Sequence, residues 1–290
     1  PTENKDELRE QIREQIKNRE QEDVDVLIHE IRKTMKRIRA VLKLFRDEIG
    51  YSDYYRENGY YRDLARSLSG ARDSHVLGKV LSSLREKYPK AVRKSDYERL
   101  IKHLDQKTDR EITRFSREHG GFDHMEKELA RASLRVGEYC RLRNDFISLG
   151  KGIKRIYKRG REHLSRLHKQ FDMAEFHEYR KNTKYLLHQI EIIQPIYPRV
   201  LKSYAKSIDK HADILGESRD LDRLDVYLQN EAENLTREAV RSSIFEKIGD
   251  ERGMLLEKAF SKSYLIYAEP PGTFVKRLEA YWEANKDLHT

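Results

Sequence analysis

The chain has a single cysteine, Cys140, a single tryptophan, six prolines and 14 glycines in 290 residues. One thiol excludes an intramolecular disulfide and any cage of thiolate ligands, and it suits a reducing compartment. So little proline and glycine argues against an all-β domain built from many turns. No apolar run approaches the roughly eighteen residues needed to span a bilayer, and the first residues are charged rather than signal-like. A soluble, cytoplasmic protein with no membrane partner is expected. Charge is what the chain has in abundance: 38% of its residues are charged against 37% hydrophobic.

The net charge of +9 is unevenly spread. Residues 1 to 23 carry 5 basic and 8 acidic side chains and residues 230 to 290 carry 9 and 11, so residues 24 to 229 hold +14. Basic charge gathered in one part of a chain faces an anion more often than water alone: nucleic acid, a phosphorylated ligand or an acidic surface.

Apolar residues at Val24, Ile28, Ile31, Met35, Ile38, Leu42, Phe45 and Ile49 alternate in steps of four and three, which is one stripe on a helix that Gly50 can end. Comparable patterns predict helices at 5–20, 60–68, 73–88, 95–119, 123–148, 153–170, 173–194, 198–213, 219–230, 233–267 and 273–288. Breaks are expected at Asn58-Gly59, Pro89, Gly120-Gly121, Gly150 with Gly152, Pro195 with Pro198, and the 269–272 segment. No strand pattern occurs, so the fold class is all-α.

Two motifs recur at nearly one offset. The segment from His29 to Ile38 returns 148 residues later as His177 to Leu186, keeping His-Glu and the basic residues Arg32, Lys33 and Lys36 as Arg180, Lys181 and Lys184. The pair Arg72-Asp73 returns 147 residues later as Arg219-Asp220. The economical reading is two helical halves, about 22–148 and 150–290, packed about a pseudo-two-fold axis into one domain. Residues 1–21 then form a charged amphipathic helix that completes the first bundle.

The repeated face is basic. On a helix, His29, Arg32, Lys33, Lys36 and Lys43 fall within about 100° of one another, flanked by Arg37 and Arg39. Only Glu30 opposes them between residues 29 and 46, so neighbours cannot neutralise the stripe. Lys151, Lys154, Lys158 and Arg161 form a further stripe opposite Ile153, Ile156, Leu164 and Leu167, with Arg155 and Arg159 off it. From Arg32 to Lys43 the charge runs about 16 Å, a length suited to a linear polyanion. Asp73 and Asp220 read as structural, capping a helix or holding a neighbouring cation. His29 and His177 admit either a surface hydrogen bond or a phosphate contact.

The two His-x-x-Arg-Lys-x-x-Lys segments, the Arg-Asp segment after each, and Gly152 to Arg161 between them resemble the CHAD family, the conserved histidine α-helical domain. The resemblance covers nearly the whole chain. It implies two four-helix bundles around a basic central cavity that binds inorganic polyphosphate, with association to polyphosphate granules. It further implies ligand contacts from His29, Arg32, Lys33, Lys36, Arg37, Arg39, Lys43, Arg72, Lys158, Arg161, His177, Arg180, Lys181, Lys184 and Arg219. The second half has Tyr185, Leu187 and Glu191 in place of Arg37, Arg39 and Lys43, so it should hold an anion less strongly. Ser69 stands for Gly216, and His75 for Asp222.

Catalysis is not expected, nor is a cofactor or metal. The Glu-x-Glu-x-Lys strand of triphosphate tunnel enzymes is missing, since Glu126-x-Glu128 and Glu231-x-Glu233 lack the lysine and fall on predicted helices. Glycine phosphate loops, nucleophile elbows, paired Glu-x-x-His motifs and zinc helices are missing too. Glu30 and Glu178 are expected to stay ionised and orient cations. The alternatives are an RNA- or DNA-backbone-binding protein and, second, a phosphate-ester or polyphosphate-processing enzyme; for the first, base stacking needs aromatics interleaved with the cations. Tyr51, Tyr54, Tyr55, Tyr60 and Tyr61 fall in an expected loop after the first basic helix, leaving Tyr157 and Tyr185 near the charge.

Overall fold

A computed structural model describes Gln11, residues 24–134 and residues 145–287. The helix expected at 5–20, apart from Gln11, lies outside the described residues, as do Cys140 and the rest of 135–144 within the segment expected at 123–148. The described chain is all-α, with α1 (Val24–Leu44), α2 (Arg46–Ile49), α3 (Tyr51–Ser67), α4 (Ser69–Lys87), α5 (Lys94–His119) and α6 (Gly121–Leu134) in its first part. The second part comprises α7 (Phe146–Lys169), α8 (Met173–Ile193), a 3₁₀ turn (Gln194–Ile196), α9 (Pro198–Asn230), α10 (Glu238–Ile266) and α11 (Pro271–Asp287). Among the described residues no helix is long and apolar enough to cross a membrane.

Helix order follows the sequence repeat. α1 and α8 carry the two histidine motifs, α3 with α4 corresponds to α9, α5 to α10, and α6 to α11. Gly50 takes a positive φ of 88° after α2, and Gly120 a left-handed φ of 67° after α5, where its N–H bonds the Phe115 carbonyl. Asp145 and Asp172 cap α7 and α8 by accepting from the backbone N–H of Ser148 (2.9 Å) and Glu175 (2.8 Å).

Three expected breaks are absent. Asn58-Gly59 lies inside α3, because the Asn58 side chain accepts from Arg39 Nε at 3.1 Å instead of closing a local turn. The tyrosines expected in a loop therefore stand on a helix. Gly150 and Gly152 lie inside α7, where a Cβ on Gly152 would collide with the Leu44 backbone; this glycine serves close helix approach. α9 runs unbroken through Gly216, whereas its counterpart is interrupted at Leu68. There the Ser67 and Ser69 hydroxyls donate to the carbonyls of Leu64 (2.8 Å) and Arg66 (2.6 Å), competing with the helical ladder; the equivalent second-half positions, Ile214 and Gly216, carry no hydroxyl.

The hydrophobic core is shared between the halves. One cluster joins Ile31, Met35 and Ile38 of α1 to Ile153 and Ile156 of α7, Leu186 and Ile190 of α8, and Phe274 and Leu278 of α11. A second joins Leu81, Leu100 and Leu104 of the α4–α5 hairpin to Leu224, Leu228, Ile244 and Ile248 of the α9–α10 hairpin.

Candidate functional site

α1 is packed against α3, α7 and α8, so its basic side chains meet three different surfaces. Every seventh residue faces α3: Arg32 donates to the Ala65 carbonyl, Arg39 to Asn58, and Arg46 Nη2 to the Tyr51 hydroxyl at 3.4 Å. Seven residues are about two helical turns, so Arg32 and Arg39 form one row on α1 that ties it to the antiparallel α3, and Arg46 at the start of α2 continues it. Lys36 and Lys43, also seven apart, point elsewhere.

Lys36 reaches solvent yet is hemmed in by protein. Burial pushes its pKa down to about 8, helped by the charges of Arg32, Arg180, Lys184 and Arg219, which come from α1, α8 and α9. Burial likewise lowers Lys43 to about 8, with Arg159, Lys181, Arg39 and Arg155 adding to the effect. Its ammonium lies 4.7 Å from the Tyr185 ring centre. Among the described residues neither lysine has a carboxylate partner.

The two recurring motifs meet in space within each half. Burial and then the charge of Arg72 lower the pKa of His29; burial and then Arg219 lower that of His177. Glu30 contacts Lys33 at 3.2 Å and His29 at 3.8 Å, and Glu178 contacts Lys181 at 2.5 Å. Burial also lowers Arg32, Arg72 and Arg180. Arg180 crosses α9 at Gly216, where a Cβ would sit 3.6 Å from its Nη2, and among the described residues its buried Nε meets no hydrogen-bond partner.

Carboxylates temper parts of this cluster. Asp73 forms an ion pair with Arg223, and Asp220 sits among Arg180, Arg223, Arg219 and Arg72, its pKa raised by burial against their pull. Neither aspartate is an N-cap: α4 begins at Ser69 after an uncapped Leu68, and Asp220 lies within α9. Lys184 is held by Asp209 (3.3 Å) and Asp213 (3.2 Å), and Arg37 lies 3.8 Å from Glu191, which also binds His188 at 2.9 Å.

The α7 stripe stands apart from these contacts. Lys151 and Lys154 are exposed, Lys158 pairs with Glu162 at 3.7 Å, and Arg161 donates to the Tyr267 carbonyl at 3.2 Å. The off-stripe residues reach α1 instead: Arg155 binds Asp47 at 2.6 Å and the Lys43 carbonyl at 2.9 Å, and Arg159 is the cation acting most strongly on Lys43. Arg223 was also not foreseen, although it stands one turn after Arg219 on the same helix.

Together these features define an all-α domain whose repeated histidine and arginine motifs gather cations between α1, α8 and α9. The CHAD domain family matches residues 6–229, and the chain belongs to it. No curated protein matches the chain. The family match ends at 229, yet α10 and α11 supply Ile244 and Ile248 to one core cluster and Phe274 and Leu278 to the other.

Proposed function

We propose that the chain binds inorganic polyphosphate, without catalysis, in a groove between α1, α8 and α9. The observation that carries this reading is Lys36: water-reached, lacking a carboxylate partner among the described residues, and surrounded by Arg32, Arg180, Lys184 and Arg219. Such crowding of like charge is unfavourable in the empty protein and is relieved by an anion with oxygens on several sides. His29, Arg72, His177 and Arg219 extend the track on one side, with Lys33 beside it, and Lys43 with Arg159, Lys181 and Arg39 on the other. A linear polyanion fits because the cations form a row rather than a single cup. Membership of the CHAD family supports the reading, and polyphosphate granules are the corresponding destination in the cell.

A competition experiment tests it. Labelled long-chain polyphosphate is bound at fixed salt and challenged with unlabelled polyphosphate, duplex DNA and single-stranded RNA. Polyphosphate alone should displace it at comparable phosphate concentration, and affinity should fall steeply with salt as the entropy gained by releasing counterions shrinks. Equal displacement by nucleic acid would transfer the site to that ligand class.

A further inference from the structure

Two exposed tyrosines at the start of α3 make no contact required for polyphosphate. Tyr51 and Tyr55 are 60% and 62% exposed, whereas Tyr54 between them is buried. They are one turn apart, with rings inclined by only 28° and centred 6.4 Å apart. The Arg46 guanidinium lies 5.0 Å from the Tyr51 ring centre and its Nη2 donates to the Tyr51 hydroxyl, which steadies this side of the pair. A lone exposed ring is unremarkable, but two near-parallel rings beside a fixed guanidinium form a stacking surface.

This surface adjoins the Lys43 end of the cation row by two routes. Tyr55 meets Tyr54 edge-on at 5.2 Å, burial and then nearby Tyr185 raise the Tyr54 pKa, and Tyr185 carries the Lys43 ammonium over its ring. On the other side Arg46 and Arg155 share Asp47, at 3.3 and 2.6 Å, and Arg155 binds the Lys43 carbonyl. Phosphate-binding cations and exposed rings thus stand next to each other at one end of the row.

We infer that this end of the groove takes a nucleoside oligophosphate, its base stacked on Tyr51 and Tyr55 and its phosphates running to Lys43, Lys181 and Arg159. The inference rests on the polyanion reading above and adds a ligand class to it. Stacking is indifferent to base identity, because every base has a π-face. One ring pair at one end fits a single terminal base. The stretch around Lys36 is flanked by Arg32, Arg180, Lys184 and Arg219 rather than rings, which does not suit a strand carrying a base at every phosphate.

Titration calorimetry with adenosine 5′-tetraphosphate and inorganic tetraphosphate tests this. The adenosine compound should bind roughly ten-fold more tightly, the worth of one base stacked on an aromatic side chain. Tyr51→Ala combined with Tyr55→Ala should erase that advantage and leave inorganic tetraphosphate unchanged, while the two Phe substitutions should keep it. Equal affinities in the unaltered protein overturn the inference and leave the groove intact. Oligoadenylates whose affinity climbs with each added nucleotide overturn it in favour of a nucleic-acid track. Binding of neither tetraphosphate overturns the groove and the inference together.

Discussion

Arg223 of α9 forms an ion pair with Asp73 of α4, joining the two halves of the chain beside the cation row. The pair does more than tie helices. Asp73 also acts on Arg32 and Arg72, so Arg223 keeps its carboxylate from neutralising them fully.

Arg223→Ala should therefore weaken polyphosphate binding by about ten-fold, because Asp73 is left to the remaining arginines. Asp73→Asn should strengthen binding. The double variant should fall between the two, and a double-mutant cycle in binding assays should give a non-zero coupling.

Charge reversal should have unequal effects in the two repeats. Lys36→Glu places a carboxylate among four cations and should cost roughly a hundred-fold in polyphosphate affinity, with helical circular dichroism unchanged. Lys184 is already engaged by Asp209 and Asp213, so Lys184→Glu should cost only about ten-fold. Replacing both aspartates by Asn should raise affinity. Equal losses at Lys36 and Lys184 would contradict the asymmetry.

Affinity should fall as pH rises from 7 to 9, since Lys36 and Lys43 both titrate near 8 in the empty protein and lose charge over that window. A bound polyanion favours the charged forms, so binding takes up protons, measurable as a dependence of calorimetric heat on buffer ionisation enthalpy. Lys36→Arg should flatten the pH profile. Stability runs oppositely. Between pH 8 and the ordinary lysine range near 10.5, the unfolded chain binds more protons than the folded one, so these two lysines make the empty protein more stable as pH rises.

Gly152→Ala should destabilise the fold by about 2–3 kcal/mol, the usual cost of overpacking against atoms that cannot move aside. The atoms met are the Leu44 backbone, and the gain in helix propensity, about 0.5–1 kcal/mol, does not offset the collision. The midpoint of denaturant unfolding should shift down accordingly. Gly249→Ala, with open space around its Cβ position, is the control and should be neutral or stabilising.

Much of the architecture was legible because a 3.6-residue period leaves a one-dimensional trace. The stripe from Ile28 to Leu42 is buried along its length, and Gly50 ends the segment as its position suggested. Local punctuation misled where tertiary contacts overrode it, as at Asn58 and Gly152. The expected gap between 213 and 219 also hid a continuous face of α9 on which Asp209, Asp213, Gly216, Asp220 and Arg223 follow one another at helical spacing. Without that face, the neutralisation of Lys184 and the position of Arg223 could not be read. Arg155 and Arg159 stand off the apparent stripe, and amphipathicity reports which side of α7 is apolar and not which flank meets Lys43.

Both core clusters take side chains from each half, so the repeat does not mark a seam along which the chain could be cut. Cleaved there, either piece would leave the aliphatic surface of Leu81 and Leu100, or of Leu224 and Ile244, open to water. The packing of α1 against α8 is therefore intramolecular, so their charged faces stay together at any dilution.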